Sequence, residues 1–286
     1  MPLSLAALEA IQAEQMADDV EIDLKLMSLW SSADAERYFG SGGVDLPEAV
    51  QPPAAPSREP LGRKVRIACL HGSAGCEKIF RIQLYALLKA LKDDAEFFFI
   101  DGHRTIEPGN TQAATIRQFY GDDLPLMEYG RPRLDDRDWR TYLGLDDGIA
   151  AIEKALCSIP GGGADVLLGF SQGANFGTMV ASRAARGGAG AAAPFRCLVL
   201  LSPTLPGWVR QKPELFEAPL GTPALVTWSE DDDVVKSGPT EVASLFTDAR
   251  TRVHLGPGHR PLPAKKEELA MLAGEIRAFV LEQCPA

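Results

Sequence analysis

The chain has 286 residues, 45% of them hydrophobic, enough to bury a sizeable core in one large α/β domain or two small ones, which argues against disorder of the whole. A formal net charge of −10, with no cluster of Lys and Arg, argues against a nucleic-acid partner. No apolar run approaches the length of a membrane span, and the N-terminal MPLSLAALEAIQAEQMADD lacks the basic region of a secretory leader, so the expected compartment is the cytoplasm.

In chain order, Leu5, Leu8, Ile11, Met16, Val20, Leu24 and Met27 recur at roughly helical spacing, which predicts a helical extension over residues 1 to about 38. The Gly- and Pro-rich stretch from Gly40 to Arg63 reads as a linker, which gives an extension of 1–63 and a main domain of 64–286. The apolar face of the extension has to bury against something, either its own chain as a lid or strap, or a second copy in a homodimer.

From Lys64 the pattern alternates apolar, β-rich runs with helical periods. VRIACL (65–70) is followed by a helix carrying Phe80, Leu84, Leu87, Leu88 and Leu91, then by EFFFID (96–101). DVLLGF (165–170), RCLVLLS (196–202), PALVTWS (223–229) and RVHLG (252–256) follow, with a helix near 145–158 and a last helix marked by Leu269, Leu272, Ile276 and Phe279. Such strands separated by helices predict a mostly parallel sheet covered on both faces. Residues 103–141 show no clear period and read as a functional loop or lid; GGAGAAAP (187–194) reads as a surface loop. Of the five cysteines, none forms a C-x-x-C pair; Cys69 and Cys197 fall within apolar runs and are expected as small core residues.

The chemistry-bearing signal is LLGFSQGA, where an apolar strand ends in Gly169-Phe170-Ser171-Gln172-Gly173 just before a helix. A sharp strand-to-helix turn lifts a serine hydroxyl clear of a sheet only if its neighbours are small, and the helix that follows aims its first N–H groups at the hydroxyl. A serine needs a histidine base, and a carboxylate to hold that base. With the order Ser, acid, His, the candidates are His254, within the last strand, and His259, in the Gly/Pro-rich loop beyond it; His259 is the better placed. Glu230, Asp231, Asp232 and Asp233 all follow the preceding strand, and spacing alone does not rank them. The amide of Gln172 and one from the loop CLHGSAG, at Ser73, are the expected donors to an oxyanion, while His71 is expected to be a structural hydrogen-bonder. Phe119, Tyr120, Leu126, Met127, Trp139, Leu205 and Trp208 are candidates to line an apolar substrate pocket, or else simply pack their loops. No metal or organic cofactor has a motif, so no cofactor is expected.

CLHG, FFFIDG, YLGLDDGIAAIEKAL, LLGFSQGA, WSEDDDVV and HLGPGH occur in an order that resembles the FSH-type serine hydrolases, the group related to ovarian-cancer-associated protein 2, over roughly residues 64–283. The resemblance implies an α/β-hydrolase fold without a large cap and activity on carboxylic esters or thioesters, including acyl chains on a carrier. It implies Ser171 as nucleophile, His259 as base and, two positions before Val234-Val235, Asp232 as the acid. The chain departs from the family at Ser73-Ala74-Gly75 and at Asp101-Gly102-His103. The expectation is a serine hydrolase working through an acyl-enzyme on a small ester or thioester; the alternatives are a serine peptidase or lipase on the same scaffold, or a binding protein that keeps the fold without the chemistry.

Overall fold

The computed structural model describes residues 60–106, 110–187 and 190–285; the expected N-terminal helix and most of the expected linker lie outside them. In chain order the first elements are β1 (Val65–Leu70), α1 (Glu77–Gln83), α2 (Tyr85–Ala90), β2 (Ala95–Ile100), β3 (Arg104–Thr105), α3 (Thr111–Tyr120) and β4 (Met127–Glu128). There follow β5 (Arg131–Leu134), β6 (Arg140–Leu143), α4 (Leu145–Cys157), β7 (Val166–Phe170), α5 (Gln172–Ala185) and β8 (Cys197–Leu201). The last are α6 (Trp208–Gln211), β9 (Ala224–Asp231), α7 (Gly238–Ala243), β10 (Ala249–Pro257) and α8 (Lys266–Gln283).

The six apolar runs pair as one six-stranded sheet in the order β10-β9-β8-β7-β1-β2, with every neighbouring pair parallel. Alternate residues of each strand feed two cores. Ala68, Leu70, Leu167, Leu198 and Leu200 pack with Ile149 and Ile152 of α4 and Phe176 and Met179 of α5. Ile67, Cys69, Val166, Leu168, Cys197 and Val199 pack on the other face with Phe80, Leu87 and, from α8, Leu272, Ile276 and Phe279. Both faces are therefore apolar, which is why the strands lack a polar alternation. The fold is that of an α/β-hydrolase.

Leu61 donates its N–H to Pro285 O (2.9 Å), and Arg63 pairs with Asp165 (2.6 Å), so the last residues of the expected linker are tied to the domain.

Two sequence expectations are corrected. The single helix expected over Phe80–Leu91 is two, broken at Leu84 (φ −95°, ψ 6°). Its apolar spacing conceals the break because Leu84 N–H still reaches Phe80 O and Leu88 N–H still reaches Leu84 O. The segment 103–141 is not an irregular loop. Its helix α3 starts at Asn110, whose side chain accepts the Ala113 N–H (3.0 Å), and ends at Gly121 (φ 83°); β3 pairs with β4, and β5 with β6. A third cluster, with Ile79, Ile106, Ala113, Ile116, Leu124 and Leu126, packs this insertion onto α1. In the expected surface loop 187–194, residues 188–189 lie outside the described set, and Ala192 is buried. Among the described residues, no helix is long and apolar enough to cross a membrane.

Candidate active site

Ser171 lies between β7 and α5 with φ 51° and ψ −113°, a backbone region that costs a non-glycine residue about 1–3 kcal/mol. The turn is held from both sides: Ser171 N–H donates to Leu201 O on β8 (2.8 Å), and Ser171 O accepts from Asn175 N–H (3.1 Å). The flanking glycines are required by close approach. A Cβ on Gly169 would lie 2.5 Å from Gly173 O, and one on Gly173 would lie 2.2 Å from Leu70 O. Only hydrogen at these two positions lets α5 start directly against β1 and β7.

The loop after β10 carries His259 back to this turn, where its ring lies 4.9 Å from that of Phe170. His259 Nδ1 is 2.8 Å from Asp232 Oδ2, and Nε2 is 2.8 Å from Ser171 Oγ. A carboxylate only accepts, so Nδ1–H donates to Asp232, and the remaining lone pair on Nε2 accepts from the Ser171 hydroxyl. Asp232 is the first residue past β9. Among the four acidic residues there it alone is buried, with Glu230, Asp231 and Asp233 exposed. Its Oδ1 takes the Val234 N–H (3.1 Å), which orients the carboxylate. His254 is instead a buried residue within β10, and burial lowers its pKa from the ordinary histidine value.

The loop after β1 is locked by His71. Gly102 N–H donates to Nε2 (3.0 Å), Nδ1–H donates to Gly72 O (2.7 Å), and Gly75 N–H also reaches Gly72 O (3.1 Å). His71 is thus the structural hydrogen-bonder expected, and its burial lowers its pKa. The turn brings Ser73 to the rim of a small cleft beside Ser171, lined also by Gly72, Ala74, Gly75, Ile79, Gln83, Gln112, Ile116, Phe170 and His259. Gln172 contributes the first N–H of α5, one of those a helix leaves without an internal partner.

None of the seven residues expected to line the substrate pocket lines this cleft. Trp208 is fully buried in the core against Phe216, because Gly207 tucks α6 beneath Arg140. Trp139 lies under the Arg210 guanidinium, and Leu205 O takes the Arg140 N–H, so both serve to dock the β5–β6 hairpin. Leu126 is buried in the cluster under the insertion, and Met127 belongs to β4. Phe119 and Tyr120 stand at the end of α3, a turn beyond the Gln112 and Ile116 that do face the cleft.

Three side chains near the site have placements that sequence reading did not register. The Gln172 side chain accepts Tyr129 N–H (2.8 Å) and donates to Gly130 O (2.9 Å), pinning the insertion to the elbow. The Asn175 amide donates to Tyr142 Oη (2.8 Å) and Thr204 Oγ1 (2.7 Å), tying two segments to α5. Arg260, next to His259, is buried. Among the described residues, no group of three or more His, Cys, Asp or Glu side chains is placed to hold a metal.

A family model described as serine hydrolase (FSH1) matches residues 61–272. The human esterase OVCA2 is 29% identical over 208 residues, covering 69% of this chain and 89% of its own. The esterase C25G4.2 of Caenorhabditis elegans is 27% identical over 124 residues, 43% of this chain and 53% of its own. Among solved structures, Zea mays acyl-protein thioesterase 2 superposes with a TM-score of 0.51 at 20% identity, over 77% of this chain and 96% of its own. The esterase PE8 gives 0.50 at 20% identity, over 75% and 92%. The folds agree, and the matched span runs from the residues anchored at Leu61 through the elbow, the acidic turn and the histidine loop into α8: the chain belongs to the FSH1 serine hydrolase family.

Proposed function

We propose that the protein hydrolyses a carboxylic ester or thioester of a small molecule or of a carrier-bound acyl chain, through an acyl-enzyme on Ser171, with His259 as base and Asp232 as the orienting acid. The observation that carries this reading is the unbroken hydrogen-bonded chain from Ser171 Oγ to His259 to Asp232, at 2.8 Å for each link. The named esterases and the thioesterase among its relatives and structural neighbours point to the same substrate class.

In the first step His259 Nε2 takes the hydroxyl proton as Ser171 Oγ bonds to the carbonyl carbon. On this reading the developing oxyanion is received by the amides of Gln172 and Ser73. Collapse breaks the bond to the leaving oxygen or sulfur, which takes the proton from His259. Water then repeats the sequence: it gives a proton to His259 and its oxygen to the acyl carbon, and Ser171 leaves as the hydroxyl. Asp232 holds the proton-bearing Nδ1 throughout and stabilises the imidazolium. No step calls for a cofactor. The odd set of cysteines without a C-x-x-C pair supports a cytoplasmic setting as part of the same proposal.

The test is hydrolysis of a short ester, of its thioester counterpart and of the matching anilide by native protein and by Ser171→Ala. Turnover of ester or thioester lost in the variant supports the reading. Cleavage of the anilide at a comparable rate would make the protein a peptidase, and no turnover by folded native protein would favour a binding role.

A further inference from the structure

Arg260 is the one charged side chain of the described core whose charge is not answered. Every other buried Asp, Glu, Lys or Arg among the described residues has a side-chain partner: Glu128 with Arg104, Glu153 with Arg183, Asp165 with Arg63 and Glu268 with Arg252, each of opposite charge, and Asp232 with the Nδ1–H of His259. Arg260 is 7% exposed, has no acidic partner among the described residues, and its Nη1 is buried without any hydrogen-bond acceptor. A buried guanidinium left unpaired costs far more than a paired one, so its retention beside the site calls for an anion that arrives from outside the chain. Burial also pulls its pKa below the ordinary arginine value, the mark of a charge stripped of water without compensation.

Its position says where the anion enters. Arg260 follows His259 directly, and its electrostatic neighbour is the phenol of Tyr120 at the end of α3. Tyr120, one turn of α3 beyond the cleft residue Ile116, in turn meets the side-chain amide of Gln83 at the end of α1, which stands in the wall of the cleft beside Ser171. A guanidinium, a phenol and an amide from three separate elements are thus linked pairwise, and of the three Gln83 lines the cleft itself. All three are groups that donate to anionic oxygen, and no carboxylate is among them.

We infer that Arg260, with Tyr120 and Gln83, recognises an anionic oxygen group, a carboxylate or phosphate, carried by the ester or thioester that Ser171 attacks. The inference rests on the proposed hydrolysis and adds the charge of the substrate to it. Arg260 acts on specificity: it binds a part of the substrate remote from the scissile bond, beyond a cleft lined by apolar Ile79, Ile116 and Phe170 and by the neutral amides of Gln83 and Gln112.

The experiment compares isosteric pairs by titrating released acid. On the acyl side, monoethyl succinate and monoethyl glutarate are set against ethyl 4-methylpentanoate and ethyl 5-methylhexanoate. On the leaving-group side, S-butanoyl pantetheine phosphate is set against S-butanoyl pantetheine. The inference predicts a kcat/KM at least about tenfold higher for the anionic member of one pair, appearing in KM, as a charge-assisted hydrogen bond provides. The pair that shows the preference tells carboxylate from phosphate. In Arg260→Gln the ratio falls towards one, and Arg260→Lys restores part of it. The ratio, and not the absolute rate, is the readout, so general damage to the fold does not imitate the result; if Arg260→Gln does not fold, the native ratio and that of Arg260→Lys decide. Equal rates within every pair for the native protein, or a preference that survives Arg260→Gln, would overturn the inference while leaving the hydrolysis intact. No turnover of any of the esters or thioesters would overturn both.

Discussion

Ser171 Oγ and His259 Nε2 lie 2.8 Å apart although 88 positions separate them in the chain. Three parallel strands, β8, β9 and β10, and three helices intervene, so the contact exists only when the sheet is correctly ordered. The site is for that reason a sensitive reporter of the fold, and the fold a precondition for the chemistry.

Replacing Asp232 by Asn keeps the shape but not the acceptor that holds Nδ1–H of His259. The imidazole then loses its defined tautomer, and kcat for an ester substrate is expected to fall about a thousandfold or more with little change in melting temperature. Steady-state kinetics beside a thermal melt separates the two quantities; a fall of less than tenfold would assign the acid role elsewhere.

Gly173→Ala tests the packing of the elbow. The added methyl would lie 2.2 Å from Leu70 O and 2.6 Å from His71 O, both backbone atoms that cannot step aside. A loss of at least about 3 kcal/mol, or failure to fold, is expected. Urea denaturation measures it, and near-native stability would mean that α5 can shift away from β1.

Gln172→Ala keeps the main-chain N–H proposed as an oxyanion donor but leaves Tyr129 N–H and Gly130 O without their partners. Each buried group left unsatisfied costs about 1–3 kcal/mol, so stability is expected to fall by several kcal/mol. Hydrogen exchange at Tyr129 should quicken; unchanged exchange there would show that the side chain does not hold the insertion.

Burial lowers the pKa of both His254 and His71 from 6.5 in the folded protein. As pH falls below about 6.5 the unfolded chain takes up protons that the folded chain does not, so stability present above that pH is lost progressively below it. His254 faces Glu268, Arg252 and Asp232. Melting temperature is expected to drop between pH 7 and pH 5, and less steeply in His254→Asn. Equal slopes for the two proteins would contradict the assignment.

The central sheet was legible in the sequence because strands buried on both faces appear as nearly unbroken apolar runs such as Val166–Phe170 and Cys197–Leu201. The nucleophile turn was legible because the steric demand at Gly169 and Gly173 is local. Helix α3 was not, since only Ala113 and Ile116 among its described side chains are buried, and too narrow an apolar stripe carries no clear period. The choice of Asp232 over its acidic neighbours depends on which side chain the turn buries, a property of the folded loop; sequence resemblance, and not spacing, pointed to it. Trp208 misled for the opposite reason: an aromatic after a strand near the elbow looks like a pocket wall, yet α6 turns it into the core.

The most direct test of the account is covalent labelling by a fluorophosphonate, with the modified peptide located by mass spectrometry, in native protein, Ser171→Ala and His259→Ala. The account predicts one adduct, on Ser171, formed rapidly by the native protein and lost in both variants. An adduct on another residue, or labelling of Ser171 that persists at the native rate without His259, would contradict it.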